Sequence, residues 1–315
     1  MEKILKKSVK IFSGVGITLM ILGGIIYTQR EELSVWNTVL SIAISYAIQF
    51  SWTAIGDFTD NTVWKEQLRT YRRKHIIKKD ERIRISFAYL FRIQVDGKYL
   101  LVQNGRGTGK YQPVGGAYKV HDREKLYLKE KLYVTDDDKI LLDHSSTNDY
   151  RMLVPANNLK KFVRRFDKTS DREYITDLSR EFTEELIKTA ILDKDFGKVV
   201  YRYCGRHYTG IEFSRHFQCY ELLMADIVEV QLSPEQEEKL RALMKKTDIR
   251  YRFARKKEIK HCGIKEDEGK YTEDIADHTV KILGETEPFL KRIVRDKGIY
   301  SFNIAERINN CLNTR

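Results

Sequence analysis

Two long uncharged segments lie almost back to back at the N-terminus, and they constrain the fold more than any other feature of the sequence. Residues 11–29 and 33–56 contain no Asp, Glu, Lys or Arg, and only the charged residues 30–32 separate them. A helix over the first segment would rise roughly 28 Å, about the thickness of a membrane's hydrocarbon layer. A buried core helix is the alternative, but two such segments in succession favour a transmembrane hairpin over residues 1–56.

The charges beside these segments predict how the chain is oriented. Lysines precede the first segment, and basic residues are frequent again over 65–79. Positively charged flanks stay on the cytoplasmic side of a membrane, so we expect a multi-pass protein with both termini in the cytoplasm. A cleaved signal peptide is the alternative for the first segment, but no small-x-small cleavage site follows Tyr27.

The rest of the chain has the composition of a folded soluble domain. The 315 residues carry a net charge of +12, with 32% charged and 42% apolar residues, which excludes a disordered chain and a polytopic transporter. Residues 57–80 contain no Gly or Pro and predict a juxtamembrane helical stalk, followed by a cytosolic domain over 82–315. The cysteines form no CxxC pair and indicate reduced thiols, not disulfides or a zinc site.

Strands and helices are mixed in this domain without a regular βαβ repeat, which predicts an α+β fold. A long helix is predicted from Ser170 to about residue 192, because Ser170 and Glu173 have the spacing of a capping box. The other predicted elements are a hairpin of strands at 82–93 and 98–104, strands at 151–155, 198–208, 211–231 and 250–255, and helices at 157–167, 233–247, 273–293 and 299–312.

The acidic motif REFTEE, residues 180–185, lies within the predicted long helix. Glu181, Glu184 and Glu185 are three or four residues apart, so all three carboxylates share one helix face. Like charges so placed repel each other, and carboxylate oxygens suit Mg²⁺, which usually contacts a substrate phosphate as well. Arg180 is placed to orient one of these carboxylates. A solvated acidic helix face is the alternative interpretation of the same residues.

REFTEE and the segment YQPVGG, residues 111–116, resemble parts of the NUDIX box, and the resemblance covers about 82–295 with a large insertion. It implies a NUDIX-like α/β/α sandwich. It also implies that Glu181, Glu184 and Glu185 hold a metal and, if the chain is a hydrolase of a nucleoside diphosphate derivative, that they are its catalytic residues.

The match to the box is incomplete. Arg172 stands where the family has a Glu, and Glu173 is one place off. Residues 186–188 replace a Gly, and the PVGG segment lies more than sixty residues ahead of Arg180. Whether the chain is an enzyme therefore stays open.

Two predicted spans followed by a NUDIX-like domain resemble the two-transmembrane NUDIX effectors of CBASS antiphage systems, which are CD-NTase-associated proteins. The resemblance implies an effector that senses a cyclic nucleotide made by a cognate CD-NTase and then disrupts the inner membrane, causing abortive infection. It implies contact with inner-membrane lipid and a homo-oligomer in the active state. The alternatives are a membrane-anchored, Mg²⁺-dependent NUDIX hydrolase and an anchoring protein with an inactive NUDIX fold.

Two segments have the residue types that bind an anionic nucleotide. Residues 201–208 interleave Tyr with Arg, and Arg contacts phosphate through paired bonds while Tyr offers a stacking face. The glycine-flanked loop 105–110 lets backbone amides approach a phosphate. A strand with a solvated face and a plain hairpin loop are the alternatives. The predicted ligand contacts are Arg106, Lys110, Arg202, Arg206, Tyr208 and Arg215.

Overall fold

The computed structural model describes residues 63–105, 107–138, 147–263, 273–291 and 298–307. The chain divides into two compact units, Met1–Arg69 and Thr70–Arg315. Helix α1 covers Val63–Arg73. It lies within the range 57–80 that the sequence predicts as a helical stalk.

The described part of the second unit contains two β-sheets. The strands in chain order are β1 (Arg82–Arg92), β2 (Gln94–Val95), β3 (Lys98–Gln103), β4 (Tyr111–Gln112), β5 (Gly115–Ala117), β6 (Thr135–Asp136), β7 (Arg151–Pro155), β8 (Lys198–Tyr208), β9 (Glu212–Ser214), β10 (Cys219–Gln231), β11 (Tyr251–Arg255) and β12 (Ile299–Asn303). The larger sheet has the order β12-β8-β10-β1-β7-β6, with β5 paired to β1 and β9 paired to β10. The smaller sheet has the order β11-β3-β2, with β4 paired to β3.

Strand β1 is central in the larger sheet and is buried along most of its length. It pairs in parallel with β10, as expected for an apolar strand covered on both faces. Its other edge is shared, because β7 pairs with residues 82–86 and β5 pairs with residues 88–90. Side chains alternate along a strand, so Ser86, Ala88 and Leu90 share one face, and the first two are small enough to leave room above the sheet.

The larger sheet curls at a β-bulge between β8 and β10. The pairing register shifts between Ile227 and Val228, and Gly205 lies opposite Ile227 with a φ of +145°. A bulge bends its strand and increases the local twist. A Cβ at Gly205 would also overlap Leu290, so the close packing at the bulge requires glycine.

The helices of the second unit are short. They are α2 (Asp122–Leu132), α3 (Leu159–Phe166), α4 (Ser179–Phe182), α5 (Pro234–Met244) and α6 (Lys256–Lys260), with a π-helical turn at Thr183–Ile187 and 3₁₀ segments at Lys194–Phe196, Asp277–Ile282 and Gly284–Phe289. The predicted start of α5 is confirmed, since Ser233 Oγ accepts a bond from the Gln236 N–H and the Gln236 side chain accepts one from the Ser233 N–H. The described cysteines are free, as predicted.

Three predicted helices are wrong in extent or type. The helix predicted from Ser170 is confined to 179–187, because tertiary pairing captures the residues before it: the Glu173 N–H bonds to the Lys119 carbonyl. The range 273–293 contains two 3₁₀ segments in place of one helix. The range 299–312 begins as strand β12, which pairs with the edge of β8.

The predicted fold class, an α+β fold in which a transmembrane hairpin precedes an α/β/α sandwich, is wrong. The described residues form an α/β domain with a curled sheet, and their α-helices run to at most 11 residues. Such a helix rises about 16 Å, roughly half of the hydrocarbon thickness. No helix in the described residues is long and apolar enough to cross a membrane. The predicted spans, 11–29 and 33–56, lie outside the described residues.

Candidate functional site

A cavity of about 710 Å³ opens on the face of β1 that carries Ser86, Ala88 and Leu90. Strand β5, the acidic motif and the 3₁₀ segment Asp277–Ile282 contribute other parts of its wall. The charged residues that line it are Asp149, Arg151, Glu181, Glu184, Glu185, Glu212, Asp277 and Lys281. It brings together the three glutamates of the acidic motif and is the candidate site.

Apolar anchors decide which side chains of the acidic motif reach the cavity. Phe182 and Leu186 are fully buried, and the Phe182 ring packs against Phe91 of β1 with 5.6 Å between ring centroids. The helix widens here into the π-helical turn Thr183–Ile187. Such turns are frequent at functional sites. With the apolar side chains held in the core, the three glutamates line the cavity.

Two adjacent glycines let strand β5 and the acidic motif approach each other and β1. Gly115 has a φ of +144°, and a Cβ there would overlap the Tyr89 carbonyl oxygen. A Cβ at Gly116 would overlap the carboxylate of Glu181. The Gly115 N–H also donates to Glu185 Oε2 at 2.9 Å. Glycine is therefore required at Gly115 by its φ and by the close backbone contact, while Gly116 leaves room for the Glu181 side chain.

Arg180 lies between the carboxylates. Its Nη1 is 2.6 Å from Glu181 Oε1 and 3.5 Å from Glu184 Oε2. Its Nη2 donates to Glu173 Oε2 at 3.0 Å and to the Ala117 carbonyl at 2.7 Å. The guanidinium thus supplies the positive charge that clustered carboxylates need, and Glu173 is its partner although it is one place off the family's pattern.

Glu185 is the carboxyl group that the site perturbs most. Burial and the negative charge of Glu181 raise the pKa of Glu185 to about 8, although the Gly115 N–H favours the ionised form. Burial also raises the pKa of Glu181, against the opposing effect of Arg180. At neutral pH Glu185 is therefore largely protonated, which removes one negative charge from the cavity.

The chemistry of the acidic motif suits magnesium, but in this structure other contacts take up several of its carboxylate oxygens. Glu181 and Glu184 both contact Arg180 through one oxygen, and one oxygen of Glu185 accepts the Gly115 N–H. Among the described residues, no group of three or more His, Cys, Asp and Glu is placed to hold a metal ion. We therefore derive no chemical step through a metal.

Five of the six predicted nucleotide contacts do not line the cavity. Arg206 is 3% exposed, and its guanidinium is paired with Asp226 and Asp167. Arg202 is likewise paired with two glutamates. In sequence, an arginine held in a buried ion pair looks the same as one that faces a ligand. Of the predicted contacts, Lys110, Arg202, Arg206, Tyr208 and Arg215 do not line the cavity, and Arg106 lies outside the described residues.

Sequence reasoning missed several residues that line the cavity. Asn104 and Gln112 are among them, and Asn104 Nδ2 donates to Gln112 Oε1 at 2.8 Å. The position of Asn104 at the end of the predicted strand 98–104, and that of Gln112 within the YQPVGG segment, were the available signals. His278 and Lys281 also line the cavity, but no spacing rule joins them to the acidic motif, because only the tertiary fold brings the segments together.

Residues 82–283 match the family model described as the SMODS-associated NUDIX domain. The matched range begins at the first residue of β1 and includes all the described residues that line the cavity. No curated protein and no solved structure matches the chain. Because the family match covers more than half of the 315 residues, the chain belongs to the SMODS-associated NUDIX domain family and carries a NUDIX domain of CBASS-associated context.

Proposed function

We propose that this chain is an antiviral CBASS effector whose NUDIX domain senses a cyclic nucleotide made by a cognate CD-NTase during infection. The observation that carries the proposal is that the acidic motif and the glycine pair of the NUDIX box form the wall of one cavity. Its volume of about 710 Å³ falls within the usual range for small-molecule sites, roughly 300–1,000 Å³.

The charge of the cavity is compatible with an anionic ligand. Of the described charged residues that line it, six are acidic and two are basic, but several of the acidic groups contact basic side chains within the protein. Arg180 contacts Glu181 and Glu184, and Asp149 is paired with Lys119 and Arg151. With Glu185 largely protonated as well, the repulsion that a nucleotide meets is much weaker than the count of carboxylates suggests.

The amide pair in the cavity wall supports recognition of a base. Asn104 and Gln112 carry both donors and acceptors, and such amides pair with the edge of adenine and related bases. No Phe, Tyr or Trp is among the described residues that line the cavity. Hydrogen bonds are therefore the better-supported means of base selection than aromatic stacking.

Damage to the inner membrane is the second step of the proposed function. Ligand binding assembles a homo-oligomer. The effector, whose two termini lie in the cytoplasm, then contacts the lipid of the inner membrane and damages this membrane. This part is supported by the resemblance to CBASS effectors and by the uncharged segments 11–29 and 33–56, which lie outside the described residues. Dye influx into cells that express the chain with an active CD-NTase tests it, and intact membranes under these conditions would contradict it.

Calorimetric titration of the full chain with a panel of cyclic di- and trinucleotides tests the sensing step. We expect one member to bind, and Ala88→Phe to abolish that binding because the added ring fills the cavity. Ile249→Phe is the matched control, since Ile249 is 75% exposed and does not line the cavity. If no member binds, or if Ala88→Phe binds as the wild type does, the proposal fails.

A Mg²⁺-dependent NUDIX hydrolase is the second candidate, favoured by the presence of Glu181, Glu184 and Glu185 in one cavity. Magnesium is the cofactor that it implies. A hydrolase should lose both diphosphate cleavage and cell toxicity when Glu184→Gln and Glu185→Gln are combined. A sensor should keep ligand-triggered toxicity in the same double variant, so loss of both properties would make hydrolysis the better account.

A further inference from the structure

We propose that Lys281 is the phosphate-binding residue of the cavity and contacts a phosphate group of the nucleotide ligand. The identity of that ligand rests on the proposed function, but the phosphate subsite itself rests on contacts that do not depend on it.

Lys281 is the available cation among the described residues that line the cavity. Of these residues, only Arg151 and Lys281 carry a full positive charge, and Arg151 Nη1 is already 3.2 Å from Asp149 Oδ2. Among the described residues, the Lys281 ammonium has no hydrogen bond and no ion pair, although Asp277 and Glu212 attract it from a greater distance. A partly buried ammonium that makes no hydrogen bond gains strongly from a charged acceptor, and phosphate is such an acceptor.

The backbone beside Lys281 is held in place by Arg92, a residue that is 1% exposed. Arg92 Nε donates to the Ile282 carbonyl at 2.5 Å, and its Nη2 donates to the Leu283 carbonyl at 3.3 Å. Its Nη1 contacts Glu287 at 3.0 Å. The residues directly after Lys281 are therefore fixed to β1, and a rigid support of this kind reduces the entropy lost on binding.

Two acidic groups lie near Lys281, and its histidine neighbour is neutral at pH 7. Burial lowers the pKa of the Lys281 ammonium, while attraction to Asp277 and Glu212 opposes the shift. Burial and the charge of Lys281 lower the pKa of His207 to about 4, so this neighbour is neutral at pH 7. His207 Nδ1 is buried and has no hydrogen-bond partner within the described residues.

Calorimetric titration of the full chain with inorganic pyrophosphate, in EDTA at pH 7, tests the subsite. We expect Lys281→Gln to weaken pyrophosphate binding about tenfold or more, and Lys281→Arg to retain most of it, since charge-assisted bonds to phosphate are among the strongest polar contacts. Lys188→Gln is the matched control because Lys188 is exposed and does not line the cavity. No binding by the wild type, or equal binding by Lys281→Gln, would overturn the inference.

A second measurement needs no variant and covers the case in which Lys281→Gln fails to fold. Acetylation of Lys281 in the wild-type chain, followed by mass spectrometry, should slow when pyrophosphate is added, and unchanged labelling would overturn the subsite. The two proposals fail separately. Pyrophosphate binding that depends on Lys281, without binding of any cyclic nucleotide, would leave the subsite standing and refute the sensor. Cyclic-nucleotide binding that is unaffected by Lys281→Gln would leave the sensor standing and refute the phosphate subsite.

Discussion

Individual residues of the site act through close contacts that the sequence shows only in part. The spacing of Glu181, Glu184 and Glu185 predicts a shared face, and all three line one cavity. The partner of Arg180 was not predictable, because Glu173 reads in sequence as part of a helix cap. In the structure, Glu173 Oε2 accepts bonds from Arg180 and from the Lys119 N–H. Only tertiary contacts distinguish the two roles.

Gly115→Ala should destabilise the chain by about 2–4 kcal/mol, since the new Cβ meets the Tyr89 carbonyl oxygen at a backbone angle that L-residues rarely adopt. Gly284→Ala is the control, because a Cβ at Gly284 meets nothing within 4 Å, and we expect it to stay within about 0.5 kcal/mol of the wild type. Urea unfolding of both variants makes the comparison. Equal stabilities would show that β5 does not depend on this close approach.

The stability of the chain should depend on pH through Glu185. Its pKa is about 8 in the folded chain against 4.5 for the ordinary group. The folded state thus binds an extra proton, so the stabilisation is complete below pH 4.5 and is lost as the pH rises through 8. Glu185→Gln removes this loss. In EDTA, the variant should gain on the order of a few kcal/mol over the wild type between pH 5 and pH 9. A difference in stability between the variant and the wild type that does not change with pH would contradict the raised pKa of Glu185.

Elements that depend on local signals were predictable, and those that depend on tertiary pairing were not. The Asp96-Gly97 turn has φ values of +48° and +73° and connects β2 to β3, as its sequence indicates. The helix start at Ser233 was also predictable from a local signal, the N-cap serine itself. By contrast, the capping-box spacing at Ser170 predicts a helix that does not form there, because residues 171–173 bond to residues 119–121 instead. Long-range pairing overrode the local preference.

The start of α4 should depend on a coupled ion pair between Arg180 and Glu173. Both side chains are mostly buried, at 23% and 11% exposure. A double-mutant cycle with Arg180→Gln and Glu173→Gln should give a coupling of about 1.5–3 kcal/mol. The exposed pair Arg241–Asp96 is the control, and its coupling should be much weaker because water screens both charges. Equal coupling in the two pairs would mean that Arg180 does not organise the site.

At the scale of the whole molecule, ion pairs connect the segment Asp277–Phe289 to the larger sheet. Arg92 and Arg202 both contact Glu229 and Glu287. Because this segment carries Lys281, the cluster joins the cavity wall to the sheet. The sequence offered no signal for it: the contacts link β1, β8, β10 and a segment about 190 residues after β1.

The membrane location expected from residues 11–56 stays a prediction, since these residues lie outside the described part of the chain.

Arg92→Gln should lower the free energy of unfolding by about 3–5 kcal/mol, because it leaves two carboxylates and two carbonyls without their buried partner. Arg202→Gln should cost less, since Arg202 is 29% exposed and contacts only the carboxylates of the cluster. Hydrogen exchange provides the second readout. Amides of residues 282–290 should exchange faster in Arg92→Gln than in Arg202→Gln, and equal rates would show that Arg92 does not hold the segment.

A sensor cavity binds a cyclic nucleotide as a signal and releases it unchanged, whereas a hydrolase cleaves its ligand. Equilibrium dialysis of the full chain against the panel of cyclic nucleotides in Mg²⁺, followed by chromatography of the bound fraction, measures binding and chemical fate together. We expect that one nucleotide is retained and recovered intact, and that Ala88→Phe retains none. Recovery of cleaved products, or no retention of any member by the wild-type chain, would contradict it.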